Sequence, residues 1–237
     1  MLVMSERISD HLPKTEKYIP KQRLWYIRAK EVIISSGSIE RPLVFGNNDT
    51  PGVMLSSAAK EYLKIYGVLV GKKPLVFTNN DSGYETAIEF KKNGIDPLVL
   101  DTRKDPNSEI INEAKNLDIN IKFSHVIVAA KGYKKVKSAD IAKISDDKKN
   151  ISNIKNINCD CICVSGFWTP TIHLTSQSGN KTKFNEEIDA FIPSQSKQKE
   201  TTLGSANGIF TLEETLKTSF EKGNELSKQI TNKENKV

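Results

Sequence analysis

The sequence predicts an α/β fold built on a parallel β-sheet, on three observations. Residues 74–78 and 97–101 are nearly unbroken apolar runs, which strands covered on both faces require. The stretch between them, 82–93, has helical character and is closed by Gly94. Before both, Met54, Leu55, Ala58, Ala59, Tyr62, Leu63 and Tyr66 recur at the three-and-four spacing of a buried helix face, with Gly67 placed to end it. A chain of 237 residues holds one large domain or two small ones, and with 37% hydrophobic residues its core is of modest size.

In chain order, 24–28 and 31–35 read as short strands and 37–42 as a turn. The helix over 51–66 comes next, then strand 74–78, helix 82–93 and strand 97–101. A helix near 107–116 and strands near 119–123, 125–130 and 139–144 continue the sheet. Residues 145–158, rich in Asp, Lys, Asn and Ser, form a connection or a hairpin between polar strands. Residues 159–165 are a strand opening on Gly166-Phe-Trp-Thr-Pro170, 171–177 a short helix, 193–200 a polar loop, 201–208 strand and turn, and 212–226 a helix. A charged tail, 228–237, follows.

The net charge is +6, but the only arginines are Arg7, Arg23, Arg28, Arg41 and Arg103, and the lysines are scattered. The excess therefore lacks the arginine forks and clustered patches of a nucleic-acid site. Mean hydropathy is -0.44. No run of about 18 apolar residues exists, and Met1-Leu-Val-Met-Ser-Glu-Arg7 lacks an apolar signal core, so the expected setting is cytoplasmic, with no membrane partner. Cys159, Cys161 and Cys163 alternate along one strand, which suits a reducing compartment rather than a disulfide framework.

Strand 74–78, a tight turn, a helix and a strand ending in Asp101 follow the βαβ layout of a Rossmann-like fold. In that layout an acid about 20 residues beyond a glycine turn takes the ribose hydroxyls of a dinucleotide, and Asp101 stands where the acid belongs. The turn, Thr78-Asn-Asn-Asp-Ser-Gly-Tyr84, is not G-x-G-x-x-G. Asp81 or Ser82 can cap the helix N–H groups that would otherwise hold a pyrophosphate, Ser82-x-x-Glu85 matches a capping box, and a carboxylate there repels phosphate. The favoured reading is a βαβ half that keeps its fold without tight dinucleotide binding, with Asp101 a solvated strand end. The alternative is a working NAD site formed by residues 78–82 and Asp101.

Cys159-x-Cys-x-Cys163 lacks the paired spacing and nearby fourth ligand of a zinc site, so no metal is expected. His11, His125 and His173 lie far apart, and no G-x-S-x-G accompanies them, which argues against a nucleophilic triad. Phe167 and Trp168 beside Pro170 suit a ring-binding wall or, more simply, a packed core, and Trp25 reads as core.

Several segments together resemble the α-subunit family of heterotetrameric sarcosine oxidase, within the two-dinucleotide-fold flavoproteins. They are Asp10-His-Leu-Pro13, Gln22-Arg-Leu-Trp25 with Ile27-Arg-Ala-Lys30, Ser36-Gly-Ser-Ile-Glu-Arg-Pro-Leu-Val-Phe45, and Asn48-Asp-Thr-Pro-Gly-Val-Met54. Further on come Val76-Phe-Thr-Asn-Asn-Asp81, Val164-Ser-Gly-Phe-Trp-Thr-Pro-Thr-Ile-His-Leu174 with Ser176-Gln-Ser-Gly179, and Gly204-Ser-Ala-Asn-Gly208. The likeness runs over residues 5–227 and rests on the combination.

The resemblance implies a Rossmann-like FAD/NAD(P)-binding flavoprotein fold. An inserted βαβ domain, 54–150, would interrupt an outer nucleotide-binding domain made of 1–53 and 151–227, leaving 228–237 as tail. The outer domain would be incomplete, because members of the family carry a first βαβ with a glycine-rich turn before the matched region and a folate-binding domain after it. Its apolar sheet edges would then need a covering chain. The resemblance also implies NAD in this subunit, held with that first βαβ and met here by Gly204, Ala206, Asn207, Gly208 and Thr211. Glu213 is a poorer match, since a carboxylate beside phosphate is unfavourable. FAD or FMN and tetrahydrofolate would lie elsewhere in the complex, and no catalytic residue falls on this chain.

The implied function is a dinucleotide-binding scaffold within an oxidoreductase that demethylates sarcosine to glycine, forming H2O2 and methylenetetrahydrofolate. Its partners would be the remainder of the α subunit or other subunits, and the isolated chain would be inactive. Alternatives are a subunit of a related amine or opine dehydrogenase complex, and a docking module or fragment without turnover. An independent NAD-linked reductase would bind NAD(P)H with this chain alone.

Overall fold

A computed structural model describes residues 1–234. Strands β1 (Leu2–Arg7), β2 (Gln22–Ile27), β3 (Val32–Ile34), β4 (Ser38–Glu40) and β5 (Val53–Leu55) precede helix α1 (Ser56–Tyr66). Next come β6 (Pro74–Thr78), α2 (Ser82–Lys92), β7 (Leu98–Asp101), α3 (Glu109–Asn116) and β8 (Asn120–Phe123). β9 (His125–Lys131), β10 (Ser138–Ile144), β11 (Ile151–Asn158), β12 (Cys161–Ser165), β13 (Trp168–Pro170) and α4 (His173–Gln177) follow. The chain ends through β14 (Thr182–Asn185), β15 (Ala190–Pro193), β16 (Glu200–Thr202) and α5 (Leu212–Glu234). It divides into two compact units, Ile39–Thr169 and the remainder on either side. No helix among the described residues is long and apolar enough to cross a membrane.

The central unit holds a five-stranded parallel sheet in the order β5-β12-β6-β7-β8. Every residue of β6 and β12 is buried, as two-sided covering demands. Alternate residues go to opposite faces. Leu75, Phe77, Leu100, Ile162 and Val164 pack with Phe45, Ile127 and Ile141, while Val76, Val99, Cys161 and Cys163 pack with Tyr84, Phe90 and Ile111 from α2 and α3. β5 and β12 belong to this sheet, so the compact unit reaches beyond 54–150 to take in residues 39–53 and 151–169. Its two ends are tied at β4 and β13, where the Arg41 N–H donates to the Phe167 carbonyl (2.8 Å) and the Gly166 N–H to the Arg41 carbonyl (2.7 Å).

Three local expectations are corrected. Strands β9 and β10 do not continue the parallel sheet but join β11 in an antiparallel sheet, because Ser124, left-handed at φ 53°, turns the chain after β8. Met54 and Leu55 are strand rather than helix, with Leu55 extended at ψ 144°. Helix α1 is capped from outside: the buried Glu40 carboxylate accepts the Ser57 N–H (2.9 Å) and hydroxyl (2.6 Å). The turn expected at 37–42 contains the short strand β4. Gly67 does end α1, left-handed at φ 63°.

All three cysteines are buried, and the Cys161 and Cys163 sulfurs lie 3.7 Å apart. Burial, then the Asp160 carboxylate, pushes the Cys159 thiol up to about 12. A thiol so placed is thiolate in about one molecule in 10⁴ at pH 8. The native chain is expected to leave its thiols unmodified by an aromatic disulfide reagent until it unfolds, and rapid native labelling would contradict the packing. Because the folded value exceeds the unfolded one of about 8.5, this thiol's stabilising contribution is complete below that pH and is lost as pH rises towards 12.

The other unit contains three strand pairs: β1–β2 and β14–β15 antiparallel, and β3–β16 parallel. A parallel pair standing alone departs from the rule that parallel strands are covered on both faces, and Ile33 in β3 is 49% exposed. Trp25, expected in a core, lies on the exposed β1–β2 hairpin, which has too few strands to make one. Its indole N–H donates to Glu6 Oε2 (2.8 Å), and the Arg23 guanidinium stands 5.3 Å from its ring centre. Helix α5 continues through Glu234 rather than ending at 226, so residues 228–234 of the expected tail are helical and 235–237 lie outside the described residues.

Candidate functional site

From β6 the sheet proceeds to β7 and β8 on one side and to β12 and β5 on the other, so strand order reverses between β6 and β12. Ligands of such sheets bind outside the carboxyl ends of the strands at this reversal. Here the protein's own side chains fill the place. Asn80, 7% exposed, donates through Nδ2 to the Ser165 carbonyl (3.1 Å) and to Asn79 Oδ1 (2.9 Å). Its Oδ1 accepts the Ser82 N–H (2.9 Å) and hydroxyl (2.5 Å). The Ser82 and Ser165 hydroxyls are 2.9 Å apart, and the Trp168 indole N–H donates to Ser82 Oγ at 3.3 Å. Trp168 thus serves this network, not a core.

Counted back from Gly83, Thr78 and Asn80 occupy the first two glycine positions of a G-x-G-x-x-G turn, a spacing present in the sequence but not read from it. Gly83 keeps the third role, close helix–strand packing: a Cβ there would lie 2.6 Å from Thr78 Cβ. The Thr78 hydroxyl accepts the Asn80 N–H (3.1 Å) and donates to the Asn80 carbonyl (2.8 Å). The N–H groups of Asn79, Asn80, Ser82 and Tyr84 all have acceptors on this turn or on Ser165. Those donors are the ones a pyrophosphate would need. The expected caps are corrected accordingly. Asp81 makes no cap bond and instead pairs with Arg103 Nη1 (2.8 Å), Glu85 pairs with Lys60, and Asn80 supplies the oxygen at the helix start.

Asp101 is no solvated strand end: it is fully buried. Its Oδ2 accepts the Tyr84 phenol (2.8 Å) and Arg103 Nη2 (2.8 Å), and its Oδ1 accepts the Arg103 backbone N–H (2.9 Å) and Nε (3.1 Å). A ribose would have to displace these partners. Burial, then the Asp101 charge, pushes the Tyr84 phenol far up, so it stays a donor. Burial works against the Arg103 charge, but Asp101 and Asp81 outweigh it and hold the guanidinium protonated. This arrangement builds an ion pair with its Asp101 carboxylate buried, not a site with a poised acid or base.

The residues expected at a cofactor lie together in the other unit, in a 3-10 turn over Gly204–Asn207 and the start of α5. Gly204 (φ 65°) and Gly208 (φ 81°) are left-handed, and Ala206 is fully buried. A Cβ on Gly208 would stand 3.1 Å from Ile192 and 3.2 Å from Ile188. Thr211 caps α5: its Oγ1 accepts the Glu214 N–H (3.3 Å) and donates to Glu214 Oε2 (2.8 Å), at the Thr211-x-x-Glu214 spacing. Glu213 and Glu214 place two carboxylates in the first turn. A phosphate at the start of α5 is therefore disfavoured.

No protein-family model matches the chain. Among curated proteins, the sarcosine oxidase subunit alpha of Corynebacterium sp. (strain U-96) is 30% identical over 219 residues, 92% of this chain and 23% of that protein. The subunit of the same name from Rhizobium meliloti (strain 1021) is 32% identical over 203 residues, 85% of this chain and 19% of that protein. Among solved structures, T. acidophilum thioredoxin reductase superposes with a TM-score of 0.59 at 17% identity, covering 77% of this chain and 59% of that one. A ferredoxin reductase from Rhodopseudomonas palustris gives 0.54 at 13% identity, covering 80% and 47%. These structures carry the fold alone, a Rossmann-like one. The chain spans about a fifth of the length of its curated relatives, and over that span it is a homologue of the α subunit of sarcosine oxidase.

Proposed function

We propose that this chain is the NAD-holding scaffold of a sarcosine oxidase α subunit, with an inserted βαβ domain near 54–150 inside an outer nucleotide-binding domain. The observation that carries the reading is the likeness to α subunits over most of the chain. The self-bonded turn at Thr78–Ser82 supports placing any dinucleotide at the other turn, where Gly204, Ala206, Asn207, Gly208 and Thr211 gather. NAD there would be a bound, positioned dinucleotide, and this chain's residues would hold it through backbone and amide groups without moving a proton. The complex would oxidise sarcosine to glycine, reduce oxygen to H2O2 and pass the methyl carbon to tetrahydrofolate, with flavin and folate bound outside this chain. The rest of the α subunit and the other subunits are the partners.

Co-expression of the full chain with the remaining polypeptides of such an oxidase tests this. NAD released by acid from the isolated complex should be near one per chain. Asn207→Glu should lower NAD retention about tenfold, or ~1.4 kcal/mol, while the chain still co-elutes. A chain that fails to associate, or a complex free of NAD, would overturn the proposal.

A further inference from the structure

Helix α1 gives one face to the core of the central unit and leaves another bare. Ala59 is fully buried, and with Leu63 it joins the cluster of Val76, Tyr84 and Phe90. Tyr62 and Tyr66 share the spacing that marks a buried helix face, yet both are exposed, Tyr66 at 70%, and Ile65 beside them is exposed at 66%. The end of the helix extends this surface. The Gly67 N–H donates to the Leu63 carbonyl (3.1 Å) and the Val68 N–H to the Tyr62 carbonyl (2.9 Å), which fixes the exposed Val68 and Leu69 against the last turn. The Tyr62 and Tyr66 ring centres are 6.1 Å apart, so the two rings form one continuous aromatic surface.

Area and charge both point to a second copy of this chain as what covers the patch. At about 150–250 Å² for an aromatic side chain and somewhat less for an aliphatic one, these five residues leave roughly 500 Å² exposed. A standard interface buries about 800 Å² per partner, about 65% of it apolar between identical chains, so the patch supplies nearly all the apolar area that one side needs. Its flank carries one charge of each sign. Glu61 and Lys64 lie about one turn apart on the exposed side of α1, and neither makes an ion pair among the described residues, whereas Lys60 is taken by Glu85. A two-fold axis crossing α1 between Tyr62 and Ile65 runs the two helices antiparallel and brings Glu61 of each copy to Lys64 of the other. A partner of unlike sequence has no need of both signs on one patch; a self-complementary contact does. We propose that α1 is a homodimer contact, in which Tyr62, Ile65, Tyr66, Val68 and Leu69 pack on the same residues of a second copy and Glu61 pairs with Lys64 across the axis. The proposal does not rest on the sarcosine oxidase reading.

Sedimentation equilibrium of the full chain over a range of concentrations is the test. The parent chain should be largely dimeric at about 50 µM, within the range that interfaces of this size span. Ile65→Asp alters an exposed side chain, so far-UV circular dichroism should stay as in the parent while the dimer dissociation constant rises about a hundredfold. Glu61→Lys and Lys64→Glu should each raise it about tenfold, and the two together should bring it back to within about threefold of the parent. A dimer that Ile65→Asp leaves intact, or a double exchange no tighter than the single ones, would overturn the proposal. A parent chain that stays monomeric at that concentration would overturn it too, and would assign the patch to an unlike partner. Should Ile65→Asp fold poorly, the charge exchanges decide alone.

Discussion

Asp101→Ala is expected to lower the unfolding free energy by about 3–5 kcal/mol. The reason is what remains behind. Arg103 would keep only Asp81, on a side that is partly exposed, while its guanidinium stays partly buried. The Tyr84 phenol, fully buried, would lose its acceptor at 2.8 Å. Urea unfolding measures the loss, and Asp101→Asn should recover part of it by keeping an acceptor for Tyr84. If Asp101 instead waited for a ribose, Asp101→Ala would leave stability nearly unchanged and remove nucleotide binding.

Gly83→Ala is the second large effect, with an expected loss of about 2–3 kcal/mol despite the better helix propensity of alanine. The added carbon would stand 2.6 Å from Thr78 Cβ and 2.7 Å from its Oγ1, so α2 must lift from the end of β6. The Thr78–Asn80 bonds would loosen with it. Thr78→Gly made together with Gly83→Ala removes the obstructing side chain, so the pair should be less destabilising than the sum of the two. A double-mutant cycle reads that coupling directly. Additive losses would mean that the helix is set by other contacts.

The parallel βαβ core was legible because its signals are local: the apolar blocks at 74–78 and 97–101, the helix between them, and Gly67 as a stop. What escaped depends on residues distant in sequence. The fate of Asp101 is decided by Tyr84, on the facing helix, and by Arg103 folding back from the next loop, neither of which a strand-end pattern reveals. The helix α2 cap moved from Asp81 to Asn80 because Arg103 claims Asp81. β1 and β14 are almost wholly exposed, so periodicity did not mark them as strands, whereas β2 was legible near 24–28. The turn over Gly204–Asn207 was legible in the residues themselves, and its expected place at a cofactor came through resemblance. Its chemistry became plain only when Thr211 proved to be bonded to Glu214.

The lone β3–β16 pair has a consequence for the order of folding. Ile34 and Glu200 are separated by 165 intervening residues, and closing a free loop of that length costs about 4–5 kcal/mol of chain entropy before any bond forms. Three residue pairs of parallel strand cannot offset that. An intervening segment that folds first would lessen this cost, since its parallel sheet draws residue 41 to residues 166 and 167 and leaves six residues on one side and 32 on the other to be closed. A lesion that keeps the sheet from forming would therefore lengthen the loop that the β3–β16 pair has to close.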